Sequence, residues 1–311
     1  DDLVTINADN ALDNRNFTIN STGTKTLRGE VGFGPGNTRL ASFSSTGIGT
    51  IIVEEGINTT GNQSFADNLL TFGDGGPDGE TINYNTTTGN FLVLRGATTL
   101  ADDIVITSTT NGNIVFGGVG NDSATIDADG SNGRDFTLNT GGTVQLRGAI
   151  GQNSALETLT SDATGSIFIE ENTRTRGNIF LGDTLITLGD AGADDAVLFN
   201  TINNGNFTVN SGSTTIQDDI TITVGPGAAN ITFGATGVPA TDNGATINAD
   251  VAGRDLTFNS TGAVSLRGAI GQIGGGALQT ILSNAGGSPL NEEHTRPLGH
   301  QTDNDDTVTR G

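Results

Sequence analysis

Short apolar segments with a period of two run along most of the chain. In FTIN at 17–20 and FTVN at 207–210, apolar and polar residues alternate. This alternation is typical of β-strands that bury one face. Strand signals recur about every ten residues, with Gly, Asn or Asp in the gaps. Because helical crossovers do not fit into such gaps, a doubly wound fold is excluded and an all-β protein is predicted.

One block of the pattern occurs three times, at 15–32, 134–151 and 254–271. The first and second copies are 119 positions apart and the second and third are 120 apart. This spacing predicts internal repeats of about 120 residues. The predicted copies are 3–123, 124–244 and 245–290. A polar C-terminal tail, 291–311, is predicted to follow them. Since the chain opens inside a repeat, it is expected to be a processed form or a segment of a longer protein.

The strands predicted from the pattern match between the copies. In the first copy, residues 33–49 are rich in Gly, Ser and Thr and are predicted to form an outward loop. The strand-bearing segments predicted before and after that loop are 3–9, 17–20, 24–29, 51–55, 64–73, 80–85, 89–96, 98–107 and 113–118. Those of the second copy are 124–129, 166–171, 177–190, 205–210, 214–223 and 230–234.

Two architectures fit short strands at this spacing. One is a set of antiparallel sandwiches. The other is a parallel β-solenoid, in which each coil of about 20–24 residues stacks on the one before it. Similar segments such as FTIN, FTLN and FTVN favour the solenoid, because like residues then stack coil on coil. Asn and Thr at the strand ends are expected to form ladders of side-chain hydrogen bonds along the stack.

The repeats also resemble a known family. RDLTFNSTGAVSLRGAIG at 254–271 and GNFTVNSGSTTIQDDITIT at 205–223 are similar to the repeats of bacterial surface exoproteins of the filamentous haemagglutinin type. The resemblance covers roughly residues 3–290 and contains no catalytic motif. It implies a right-handed parallel β-helix, export to the cell surface, and a role as a fibre, stalk or adhesin. The N-terminal secretion domain of that family has no counterpart in the sequence.

Composition narrows the function classes. Among 311 residues there are 48 Gly, one Lys and no Cys, and the net charge is -22. This acidic balance argues against a nucleic-acid partner, which would need a basic surface. The missing cysteines exclude disulfides and thiol chemistry. No apolar run is long enough to span a membrane.

Calcium is the most specific chemistry that the acidic loops predict. GGVGND at 117–122 matches part of a glycine-rich calcium nonapeptide, and GDGGPDGE at 73–80 and GDAGADDA at 189–196 are acidic and rich in turn residues. Carboxylate and backbone oxygens are the ligands that Ca²⁺ prefers. Ordinary Gly/Asp turns are the alternative. The candidate Ca²⁺ ligands are Asp122, Asp74, Asp78, Asp190 and Asp194.

No catalytic site is predicted. Both histidines, His294 and His300, fall in the tail. The adjacent carboxylates, such as Asp102 with Asp103, should point to opposite faces of a strand and recur as parts of the scaffold. The second arginine of each block is expected to pair with acidic neighbours on the adjacent coil, with ligand binding as the alternative. These arginines and their relative in LVLRG are Arg28, Arg147, Arg267 and Arg95.

The expected function follows from the expected fold. A solenoid leaves strand edges and core residues uncovered at its ends unless they are capped or paired. The sequence therefore predicts an extracellular protein whose units join head to tail, as a homopolymer or as a longer repeat array. An adhesin that binds surface glycans is the alternative, and a polysaccharide-active enzyme is a weaker one.

Overall fold

The computed structural model consists of strands and connecting loops. It describes residues 5–9, 15–34, 38–76, 80–118, 124–130, 133–162, 164–192, 196–210, 212–234, 245–271, 276–287, 290–291, 301–303 and 308–309. The chain divides into two compact units, Asp1–Leu156 and Glu157–Gly311.

The first unit contains three parallel sheets, which the chain visits in turn. Sheet 1 has the order β1 (Asn16–Asn20), β3 (Ser42–Thr46), β6 (Gln63–Phe65), β9 (Phe91–Val93), β12 (Ile114–Phe116), β15 (Thr143–Leu146). Sheet 2 contains β2 (Thr24–Leu27), β4 (Thr50–Val53), β7 (Leu69–Phe72), β10 (Ala97–Leu100) and β13 (Ile126–Ala128). Sheet 3 contains β5 (Ile57–Thr59), β8 (Thr81–Thr86), β11 (Asp103–Ser108) and β14 (Asp135–Thr140).

The second unit is built in the same way. Sheet 4 contains β17 (Ser166–Ile169), β20 (Leu185–Leu188), β23 (Ser213–Ile216) and β26 (Thr246–Ala249). Sheet 5 contains β18 (Thr173–Thr175), β21 (Ala196–Thr201), β24 (Asp219–Val224), β27 (Asp255–Ser260), β29 (Thr280–Ala285) and β31 (Gln301–Asp303). Sheet 6 contains β16 (Thr158–Ser161), β19 (Ile179–Leu181), β22 (Phe207–Val209), β25 (Ile231–Phe233), β28 (Val264–Leu266), β30 (Leu290–Asn291) and β32 (Val308–Thr309). Strands β31 and β32 lie within 291–311, the predicted tail.

Strand pairing settles the choice between the two predicted architectures. Strands that are three elements apart in the chain pair in parallel, as β8 does with β11 and β21 with β24. Each unit is therefore a parallel β-solenoid, and the antiparallel sandwich alternative is wrong. Coil length varies more than expected, since Ile51 pairs with a residue 19 positions later and Ile220 with one 36 positions later.

The core of each unit is a narrow column of alternate strand residues. Ile, Val, Leu and Phe point inward, and most of their side chains are 0% to 3% exposed. Phenylalanine rings stack from coil to coil, with centroids 5.4 Å apart for Phe65 and Phe91 and 5.8 Å apart for Phe207 and Phe233. Aromatic pairs at such separations add stability beyond the area that they bury.

The outward loop predicted at 33–49 is wrong. Strand β3 lies inside this segment, and its Phe43 is 1% exposed. The Ser-rich composition concealed the strand, because Ser45 also points inward. Its hydroxyl donates a hydrogen bond of 2.6 Å to the carboxylate of Asp67, so the inward polar group is satisfied.

A Gly–Asn pair forms the same corner in successive coils. In the first unit, the amide oxygen of Asn62 accepts from the backbone N–H of Asn90 at 2.9 Å, and that of Asn90 accepts from Asn113 at 2.7 Å. In the second unit, Asn178, Asn206 and Asn230 repeat the hydrogen bonds at 2.8 Å, with Ala229 in place of the glycine before Asn230. These asparagines precede strands, whereas the predicted ladders were at residues that end strands. A ladder of the predicted kind is formed by Asn259, which donates to Thr223 at 3.2 Å, and Asn284, which donates to Asn259 at 3.0 Å.

The sequence repeat does not contain a whole number of coils. Strands β1 and β14 come from equivalent positions of the repeated block, yet β1 lies in sheet 1 and β14 in sheet 3. Likewise, β2 lies in sheet 2 and its equivalent β15 in sheet 1. The chain visits the three sheets in turn, and each described strand, together with the bridge at Val31, counts as one visit. On this count, β14 is the fourteenth visit after β1, and fourteen is not a multiple of three. The repeated block therefore moves by one face between its copies.

Candidate functional site

An arginine–aspartate network fills one corner of the first unit. The guanidinium of Arg134 is 2.9 Å from the carboxylate of Asp129 and 3.7 Å from that of Asp102. The same Asp102 carboxylate accepts hydrogen bonds from the backbone N–H groups of Asp74 at 2.8 Å and Gly75 at 3.3 Å. Asp102 therefore joins three successive coils.

Burial sets the electrostatics of this network. Burial raises the pKa of Asp102, against the lowering effect of the Asp74 and Gly75 N–H groups and of Arg134. The hydrogen bond to Asp129 raises the pKa of Arg134. Because the charged groups pair with one another within the solenoid wall, they leave little charge for a ligand.

The second unit contains an equivalent network. Arg254 lies 3.2 Å from Asp250 and 3.5 Å from Asp218, and Asp218 accepts from the backbone N–H of Asp190 at 2.8 Å. The sequence analysis singled out the second arginine of each block and missed the role of the first. The signal was present, because each first arginine follows the NAD or DAD segment that supplies its partner.

The first copy of the network is exposed. Arg15 reaches Asp9 at 3.4 Å, but the two side chains are 60% and 65% exposed. The equivalent Arg134 side chain is only 6% exposed.

The arginines that were predicted to pair across coils have mixed surroundings. Arg28 lies 3.6 Å from Glu54, which is on the adjacent coil, so the prediction is confirmed for Arg28. Arg147 donates to the Gln145 side chain at 3.2 Å. Arg95 is exposed and Arg267 is half-buried.

Two of the predicted calcium ligands form turns with their own loops. The Asp74 side chain accepts from the N–H of Gly76 at 2.7 Å, and Asp190 does the same with Gly192 at 2.7 Å. Asp78, Asp122 and Asp194 lie outside the described residues. Within the part of the chain that the structure describes, there is no group of three metal-ligating side chains. Calcium binding stays a prediction.

Lys25 makes the most buried ion pair of the first unit. Its Nζ contacts Asp67 Oδ1, and the side chains of the two residues are 5% and 0% exposed. The ammonium also donates to the backbone carbonyls of Ser21 at 3.1 Å and Thr46 at 3.2 Å. With Ser45 on the other carboxylate oxygen, the buried pair is satisfied on both sides.

Asp183 is the counterpart of Asp67 in the next repeat, 116 positions later. It is fully buried, and neither of its carboxylate oxygens has a well-formed hydrogen bond within the described residues. Burial raises the pKa of Asp183 to about 6, with Asp162 adding to the effect, while the nearby Ser161 hydroxyl and the Asp183 backbone N–H lower it. Val144 stands where the first copy has Lys25.

The adjacent aspartates and the two histidines, which are the remaining candidate groups, form no catalytic arrangement among the described residues. Asp102 points inward, whereas Asp103 accepts from the backbone N–H of Asp135 at 3.0 Å. The adjacent carboxylates of this pair therefore face different surroundings, as the sequence predicts for neighbours at a strand. His294 and His300 lie outside the described residues.

The comparisons with known proteins assign the chain to no family. No family model, curated protein or solved structure matches the chain. A search of the described residues finds no helix with the length and apolarity of a membrane span. The resemblance to the filamentous haemagglutinin type stays a prediction.

Proposed function

We propose that the protein is an extracellular structural repeat protein that forms a cell-surface fibre by end-to-end stacking of β-solenoid coils. The partner of each end is a coil of the same kind. This coil belongs to a second copy of the chain or to a further repeat of a longer polypeptide.

The exposure of the first described coil is the observation that carries this proposal. The core residues Phe17 and Ile19 of β1 and Leu27 of β2 are only half-buried. Their equivalents in the second copy of the block are fully buried, and these are Phe136, Leu138 and Leu146. Within the first unit itself, the core residues Phe43 and Val53 lie on strands that pair with a coil on both sides, and they too are fully buried.

The backbone groups at the edge of β1 also favour a further coil of the same kind as the partner. Among the described residues, strand β1 pairs only with β3, so its other side offers backbone N–H and C=O groups to a further parallel strand. A coil with this repeat's pattern would extend the Phe17–Phe43 ring stack, whose centroids are 5.9 Å apart. It would also cover the Arg15 side chain, which is 60% exposed. A heterologous contact of this kind does not close into a ring and therefore produces a fibre.

The test places a charge on one or the other face of β1. Ile19→Lys puts an ammonium on the inward face, where an incoming coil would bury it, so stacking should fail. Thr18→Lys, on the exposed face of the same strand, should leave stacking intact. Light scattering over a range of protein concentrations measures assembly of the purified wild type and both variants. Equal assembly of the two variants, or none in the wild type, would contradict stacking of separate chains.

A further inference from the structure

Lys25 is placed where the repeat otherwise has an aliphatic core residue. It is the only lysine in the 311-residue chain, and Val144 and Val264 occupy the equivalent positions of the other copies. On β2 it pairs in register with the core residue Ile51 and is 7% exposed. A lysine at this core position is unexpected, because burying an ammonium group is costly even when it has a charged partner.

The surroundings of the amine direct it at one carboxyl group. Two carbonyl oxygens, those of Ser21 and Thr46, accept two of the Nζ protons. The third direction points to the carboxyl group of Asp67. If the third proton moves to that carboxylate, the nitrogen lone pair faces the carboxyl group while the other two N–H groups stay held.

The carboxyl group is arranged in a complementary way. Oδ1 is the oxygen that contacts Nζ, whereas Oδ2 accepts the Ser45 hydroxyl at 2.6 Å. A hydrogen bond to Oδ2 stabilises negative charge on that oxygen when a nucleophile attacks the carbon. The two oxygens are therefore distinguished, with Oδ1 placed to receive protons and Oδ2 placed to remain as a carbonyl.

We propose that Lys25 and Asp67 condense into an intramolecular isopeptide bond. Nζ forms a bond to Cγ of Asp67, and the bond from Cγ to Oδ1 breaks. Two of the three ammonium protons leave with Oδ1 as one water molecule. No oxidant, reductant or co-substrate is required. Holding the amine and the carboxyl in contact supplies the orientation that makes such an intramolecular step fast.

Burial also favours the product. The ion pair keeps two charges out of water, whereas the amide is neutral and needs only ordinary hydrogen bonds. The bond would tie β2 to the corner after β6, across the coil that contains β3 and β4. It would fasten the first described coil, which has the least buried core. This inference does not depend on the proposed fibre.

The composition makes the test direct. In the denatured wild-type protein, the bond lowers the intact mass by about 18 Da, the mass of one water. Trypsin should then fail to cleave after Lys25 and should release peptide 16–28 linked to peptide 40–95. A mass equal to that of the sequence overturns the proposal. A lower mass without the linked peptide also overturns it, because dehydration at another aspartate would give the same mass.

Variants connect the bond to the residues named. Lys25→Met lacks the nucleophile and should have its full sequence mass and a lower thermal midpoint than the wild type. Ser45→Ala removes the hydroxyl on Oδ2 and should lower the linked fraction. Ser44→Ala is the matched control on the outer face of the same strand and should be linked as fully as the wild type. An equal loss of mass in Lys25→Met would contradict the assignment of the bond to Lys25.

Discussion

At the scale of single residues, the solenoid uses buried aspartates in three different ways. Asp67 faces a lysine and a serine, and Asp102 faces an arginine and two backbone N–H groups. Asp183 has the nearby Ser161 hydroxyl and its own backbone N–H, and burial keeps its pKa raised to about 6. Asp67 and Asp183 are equivalent in the repeat, so the same repeat position holds an ion pair in the first unit and a carboxyl group of raised pKa in the second.

The stability of the second unit should therefore depend on pH through Asp183. Its pKa is about 6 in the folded state, against an ordinary value of 3.8, so the folded state binds the proton more tightly. This stabilisation is complete below about pH 4, declines as the pH rises to about 6, and is absent above that. A shift of this size corresponds to about 3 kcal/mol.

Urea unfolding from about pH 4 to pH 7 measures this effect. Asp183→Asn should be stabilised relative to the wild type near neutral pH and should lack the decline. Asp162→Asn changes an exposed neighbour and should retain most of the wild-type decline. If Asp183→Asn declined as steeply as the wild type, the raised pKa would be wrong.

At the scale of elements, the corners determine how closely coils stack. The Gly–Asn pair meets two needs, since Asn continues the ladder and Gly allows backbone to approach backbone. A Cβ on Gly89 would lie 2.1 Å from the backbone carbon of Gly61, and one on Gly205 would lie 2.0 Å from the carbonyl oxygen of Gly177. Glycine is therefore required at these corners for close approach.

Gly89→Ala should be strongly destabilising, because backbone cannot move aside as a flexible side chain can. The expected loss of unfolding free energy is more than about 3 kcal/mol. Gly23→Ala is the control, since a Cβ there would be 3.7 Å from its nearest neighbour, Ser21 Oγ. It should change stability by less than about 0.5 kcal/mol. Equal effects of the two variants in urea unfolding would contradict the corner packing.

The sequence predicted the elements well where apolar alternation and corner residues agreed. FTIN, FTLN and FTVN all form strands, and asparagines near the strand ends of sheet 5 form a ladder of the predicted kind. The prediction failed at β3, where Ser44 and Ser45 concealed the alternation. It also could not pair Lys25 with Asp67, because 42 residues separate them and only the coil length brings them together.

At the scale of the whole molecule, the sequence could not predict that the repeat length differs from a whole number of coils. A period of 119 residues is compatible with whole coils or with fractions of a coil. Only the pairing of strands places β1 and β14 in different sheets. As a consequence, the corner between β1 and β2 joins sheets 1 and 2, whereas the equivalent corner between β14 and β15 joins sheets 3 and 1.

The proposed assembly depends on whether another coil covers the inner face of β1 and β2. Hydrogen–deuterium exchange of the segment 16–27, measured across a range of wild-type protein concentrations, tests this most directly. We predict that exchange in this segment slows as the concentration rises, while exchange in 135–146, the equivalent segment whose core residues are already buried, stays constant. Exchange in 16–27 that stays equally fast at every concentration would contradict the stacking of separate chains.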